Sequence, residues 1–84
     1  MNGKIVLTAR DRPRRLWGRW VEYCLTWEGD SRRILLKKSI SVPRMSPLNA
    51  YAGKFVRIGL ARSQEMGVPF EDRTWLDAEA GSIG

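Results

Sequence analysis

Eighty-four residues with a formal net charge of +6 and no histidine leave room for one small core and remove the Ser/His and Cys/His pairs of nucleophilic catalysis. The single cysteine, Cys24, has no partner for an internal disulfide, and without histidine beside it a zinc site lacks a ligand set. No apolar run approaches the roughly 18 residues of a membrane span, and Ile5-Val6-Leu7 is too short for the apolar core of a secretion signal, so a cytoplasmic protein is the expectation.

Taken in order, Lys4 to Ala9 reads as a first strand, β-branched and aliphatic with no breaker. Arg10-Asp11-Arg12-Pro13-Arg14-Arg15 then interrupts it. Pro13 cannot donate to a ladder and holds Arg12 extended, so this stretch is expected as a loop or frayed edge. Residues 18–27 and 32–42 form a hairpin around Glu28-Gly29-Asp30-Ser31. A turn closed by Gly29-Asp30 sets Trp27 against Arg32. One face then carries Leu25 with Ile34, Tyr23 with Leu36 and Val21 with Lys38. The other face carries Thr26 with Arg33, Cys24 with Leu35, Glu22 with Lys37 and Trp20 with Ser39. The first set is apolar and the second mostly polar, which is what a half-buried sheet requires. Glu22 against Lys37 is a favourable cross-strand pair.

Pro43 ends the third strand. Ser46-Pro47 has the form of an N-cap followed by an N1 proline, and predicts a helix over 47–66 with Gly67 as its C′ residue. Helical spacing lines up Leu48, Tyr51, Ala52, Phe55, Gly59 and Met66, flanked by Val56 and Ile58. Gly59 on that stripe points to a close approach of helix and sheet. A short second helix over 70–79 is expected, its first turn favoured by Glu71 and Asp72. The resulting expectation is a single α+β domain over 1–84: a three-stranded antiparallel sheet packed on one long helix, with a short C-terminal helix.

Charge is unevenly placed along this plan. Residues 1–45 hold eleven Lys/Arg against four Asp/Glu, or +7, and residues 46–84 hold four against five, or −1. A field so lopsided favours a polyanion or an acidic protein surface. Three features could use it. Arg10, Arg12, Arg14, Arg15 and Arg19 cluster within ten residues, and guanidinium groups donate bidentately to phosphate. Trp20 shares the outer face with Arg33 and Lys37, near Trp17, where a ring could stack on a base or anchor in a protein pocket. Arg32 and Arg33 flank the turn, as in a basic ribbon that enters a major groove. Trp27 belongs to the inner face near the turn.

No catalytic motif accompanies these features. The carboxylates Glu71, Asp72, Asp77 and Glu79 read as a solvated face, and no glycine-rich phosphate loop follows a strand. The chain is therefore expected not to be an enzyme, and to use no cofactor, metal or small-molecule substrate.

The β-β-β-α order over residues 4 to about 67 resembles the arm-type DNA-binding domains at the N-termini of tyrosine recombinases. That resemblance is one of architecture, and it implies a sheet laid into the major groove. The double-stranded RNA-binding fold shares this order but begins with a helix that this sequence lacks. Small compact domains of this size also resemble phage and mobile-element proteins, including anti-CRISPR and anti-restriction inhibitors, although those are often acidic. Two functions follow. The first is a nucleic-acid-binding module, DNA favoured, using Arg10, Arg12, Arg14, Arg15, Arg19, Trp20, Arg32, Arg33 and Lys37. The second is an inhibitor or accessory protein that covers an acidic surface of a host nucleoprotein complex. A homodimer built on an exposed sheet edge is compatible with either.

Overall fold

Ile5, Val6 and Leu7 are consecutive and all fully buried. A strand that is apolar on both faces has to lie inside its sheet, and that is where this one sits. The computed structural model describes residues 2–12 and 18–75. In it β1 (Lys4–Asp11) lies between β2 (Arg19–Glu28) and the short β4 (Phe70–Asp72), and β3 (Arg32–Val42) forms the far edge. The fold is α+β with one helix, α1 (Gly53–Met66), packed on a four-stranded sheet of order β3-β2-β1-β4.

The fourth strand is new relative to the sequence expectation. Phe70-Glu71-Asp72 pairs parallel to β1 rather than starting a helix. Ile5 donates its N–H to the Pro69 carbonyl and Arg73 to that of Leu7, so this segment covers an edge of β1 that would otherwise be unpaired. Asp72 then caps the chain as it turns helical at Thr74 and Trp75, its Oδ1 accepting from the Thr74 N–H at 2.9 Å. The rest of the expected 70–79 helix lies outside the described residues.

β1 also runs further than expected. Arg10 and Asp11 continue the ladder opposite Glu22 and Val21, and the Arg12 N–H bonds to the Trp20 carbonyl at 2.8 Å. Arg10 and Arg12 therefore stand on the sheet instead of in a loop.

The hairpin register differs from the expected one. The turn is longer, with Glu28 opposite Arg32, and an irregularity between Leu25 and Thr26 leaves Leu35 as an extra residue between Leu36 and Ile34. Strict alternation could bury only one of the adjacent leucines. The bulge lets Leu35 and Leu36 both pack against the core. Its cost falls on Ile34, which moves to the outer face and is 60% exposed. Arg32 moves with it to the outer face, and Arg33 shifts to the inner side opposite Trp27. Lys38 pairs with Tyr23 on the inner side and is exposed, because α1 lies over β1, β4 and β2 and leaves β3 largely uncovered.

The helix begins at Gly53, six residues later than predicted. Tyr23 explains the delay. Its hydroxyl donates to the Leu48 carbonyl at 2.8 Å and accepts from the Tyr51 N–H at 3.3 Å. The Tyr51 N–H, a single donor, would be needed for the bond to the Pro47 carbonyl if the helix started at Pro47. Turns instead carry the chain from Pro47 to Ala52, and Leu48 and Ala52 still reach the core. Tyr23 stacks on Phe55 with ring centroids 4.8 Å apart. Burial raises the Tyr23 pKa above its ordinary value, opposed by the Tyr51 N–H.

The helix buries Phe55, Gly59 and Ser63, while Tyr51 and Met66, expected on the same stripe, are 45% and 40% exposed. Gly59 permits the close approach inferred from its position: a Cβ there would overlap the Phe70 ring of β4. Gly67 closes the helix in the left-handed conformation at φ 65°.

Candidate functional site

The sheet has two faces of different character. One holds Ile5, Leu7, Ala9, Val21, Tyr23 and Leu25 against α1. The other is set by alternation and by the register: Lys4, Val6, Thr8 and Arg10 from β1 with Arg12 just past its end, Glu28, Thr26, Cys24, Glu22 and Trp20 from β2, then Arg32, Ile34, Lys37, Ser39 and Ser41 from β3.

On this outer face lies a groove of about 380 Å³ lined by Thr8, Arg10, Arg12, Glu22, Cys24, Arg32, Ile34 and Lys37. Its origin is the order of side-chain sizes. Thr8 and Cys24 are neighbours across the β1–β2 ladder and too short to fill the space, so they make a floor. Long cationic side chains from β1 and β3 rise on either side. The Cys24 Sγ lies 3.4 Å from the Thr26 Oγ1.

Four cations in this lining face one carboxylate, Glu22. Its Oε1 accepts from the Arg12 guanidinium at 3.1 Å and its Oε2 stands 3.9 Å from the Lys37 Nζ. The expected Glu22–Lys37 pair thus survives as a diagonal contact, since Glu22 lies directly opposite Ser39. The carboxylate is the sheltered member: its side chain is 13% exposed, against 46% for Arg12 and 50% for Lys37. Arg10 and Arg32 make no ion pair with a described residue. The groove carries a surplus of positive charge on four exposed residues.

The sequence-derived site residues separate into groups. Arg10, Arg12, Arg32 and Lys37 come together in the groove. Trp20 stands on the same face, half-buried, two residues from Glu22 along β2. Arg33 does not join them, because the bulge turns it to the other side. Arg19 is also apart. It bonds Asp11 at 2.9 Å and the carbonyls of Arg44 and Ser46, and so clamps the start of β2 to the loop after β3. Arg14, Arg15 and Trp17 lie outside the described residues. Thr8, Glu22, Cys24 and Ile34 line the groove but are not among the sequence candidates. The Leu35-Leu36 doublet was the available signal for Ile34, since two adjacent core leucines in one strand call for a bulge.

The opposite end of the same face is closed. Lys4 and Arg73 both bond Glu71 at 2.7 Å, and Arg73 lies 3.8 Å from Glu28. The Arg73 and Lys4 donors hold the Glu71 carboxyl down at about 2. Val6 and Thr26, facing away from α1 here, are both buried.

No group of three or more potential metal ligands occurs among the described residues, and no helix there is long and apolar enough to cross a membrane. No family model, curated protein or solved structure matches the chain.

Proposed function

We propose that this protein binds nucleic acid through the outer face of its sheet, without catalysis. The observation that supports this reading is the convergence of Arg10, Arg12, Arg32 and Lys37 around one groove, with a single carboxylate to oppose them. Guanidinium and ammonium groups turned to solvent on one face suit phosphates spaced along a chain. Trp20 on the same face supplies a surface on which a base can stack. Arg14 and Arg15 follow Arg12 in sequence and extend the cationic run.

The test is a titration of labelled DNA, single-stranded and duplex, at several salt concentrations. Affinity should fall steeply with salt, and the Arg14→Ala, Arg15→Ala double variant should lower the slope of log K against log salt by about 1.4 to 1.8. Absence of binding to both forms at about 50 mM salt overturns the reading.

A second reading, a protein-binding inhibitor or accessory protein of mobile-element type, is favoured by the edge strand β3. It has one neighbour in the sheet and presents Ile34 to solvent, which suits addition of a partner's strand. A co-purifying protein that survives nuclease treatment would support it, and recovery of nuclease-sensitive material alone would count against it.

A further inference from the structure

We propose that the groove seats one nucleotide of an unpaired strand, so that the protein prefers single-stranded nucleic acid to duplex. This rests on the nucleic-acid reading above and deepens it.

The first argument is shape. A sheet that reads a duplex in the major groove has to present protruding side chains to the base edges. Here the centre of the face is a depression, floored by Thr8 and Cys24 and walled by longer side chains. A depression needs the partner to supply the protrusion. Duplex bases are stacked and paired inside the helix, so a duplex could offer only its backbone and would leave the floor empty. An unpaired strand can splay a base into it. The volume of about 380 Å³ lies at the lower end of the roughly 300–1,000 Å³ of small-ligand clefts, and suits one nucleotide rather than a helix.

The second argument is the placement of charge. Cations stand on both walls, Arg10 on β1 with Arg12 just past its end and Lys37 on β3, and Glu22 is held low between Arg12 and Lys37. Phosphate is therefore attracted to the rim and repelled from the floor. That arrangement admits a base or sugar inward and leaves the backbone outside. Trp20 follows Glu22 along β2 on this face, next to the groove lining.

Fluorescence anisotropy with a labelled single-stranded oligonucleotide of about 12 nucleotides, and with the matching duplex, tests the inference. The single strand should bind at least about tenfold more tightly. Cys24→Met fills the floor without changing charge. It should weaken single-strand binding about tenfold and leave the salt slope unaltered. Thr8→Met serves in its place if Cys24→Met loses its thermal unfolding transition. Equal affinity for the two forms, or a filled groove that binds as well as the native one, overturns the inference while leaving nucleic-acid binding standing. Failure of both forms to bind at low salt removes the reading on which it rests.

Discussion

The two ends of the outer sheet face use the same kinds of residue and reach opposite results. At the β4 end Lys4, Glu71, Arg73 and Glu28 alternate in sign, and each carboxylate has a cation within reach. At the other end Arg12 and Lys37 share one carboxylate, Glu22, with Arg10 beside them, and Arg32 lines the same groove from its place opposite Glu28. Charges that are matched neutralise one another at short range and leave little field for a ligand. Unmatched charges facing solvent gain by acquiring a counter-charge from outside. A count of basic residues does not tell these ends apart; their pairing does.

The strongest test reverses the surplus. Replacing Arg10 and Lys37 together by glutamate should weaken DNA binding by more than about a hundredfold at moderate salt, with a far-ultraviolet circular dichroism spectrum like that of the native protein. Lys4→Gln at the matched end should change the affinity by less than about twofold. Equal losses from both would show that net charge alone drives binding and would erase the distinction between the ends.

Arg19 gives the next largest effect, on stability rather than affinity. It belongs to the arginine cluster by sequence, yet its guanidinium is used on Asp11 and on two loop carbonyls. Arg19→Gln should cost about 1 kcal/mol in urea unfolding, reduced from the full value of charged hydrogen bonds by partial exposure. The salt slope of binding should stay unchanged. A slope lowered by about 0.7–0.9 would return Arg19 to the phosphate contacts.

Arg19 also shows where sequence reasoning reaches its limit in this protein. Period-two alternation was enough to find three strands, and helical spacing with Gly67 located the helix and its end. Those signals are local. The loop carbonyls that capture Arg19 come from residues 25 and 27 positions away, and no pattern around Arg19 announces them. The same holds for Tyr23, which delays the helix by bonding Leu48 and Tyr51. The register failed for a different reason. A two-residue turn satisfies the apolar pattern almost as well as the longer turn with a bulge, and the choice between them depends on burying Leu35 and Leu36 together. Of the groove, the long cations were legible because charge is visible in sequence. The small floor residues were not, since a Thr or Cys in a strand acquires meaning only from taller neighbours.

The matched end carries a pH signature. Glu71 titrates at about 2 in the folded chain against an ordinary value of 4.5, chiefly through the Arg73 hydrogen bond and then that of Lys4. A depressed carboxylate adds stability that is complete above the unfolded value and is lost as pH falls through the folded one. Thermal unfolding should therefore show a decline between pH 4.5 and about 2, with Glu71→Gln flattening that limb. DNA affinity of this variant near neutral pH should match the native protein. A variant that keeps the full acid decline would assign it to other carboxylates.

Glu22→Gln gives the smallest effect and the finest distinction. The carboxylate takes a share of the charge of Arg12 and Lys37, so its removal should strengthen binding, by about two- to fivefold given what part-exposed pairs contribute. The salt slope should steepen by less than one phosphate's worth, because Arg12 and Lys37 can then neutralise the ligand more completely. Glutamine keeps an oxygen that can still accept from Arg12, so that cation stays placed. A fall in affinity instead of a rise would mean that the carboxylate itself receives a donor from the ligand, such as a base amino group. The lone acid of the groove would then be a contact, and the difference between the two ends of the face would lie in what Glu22 is left free to bind.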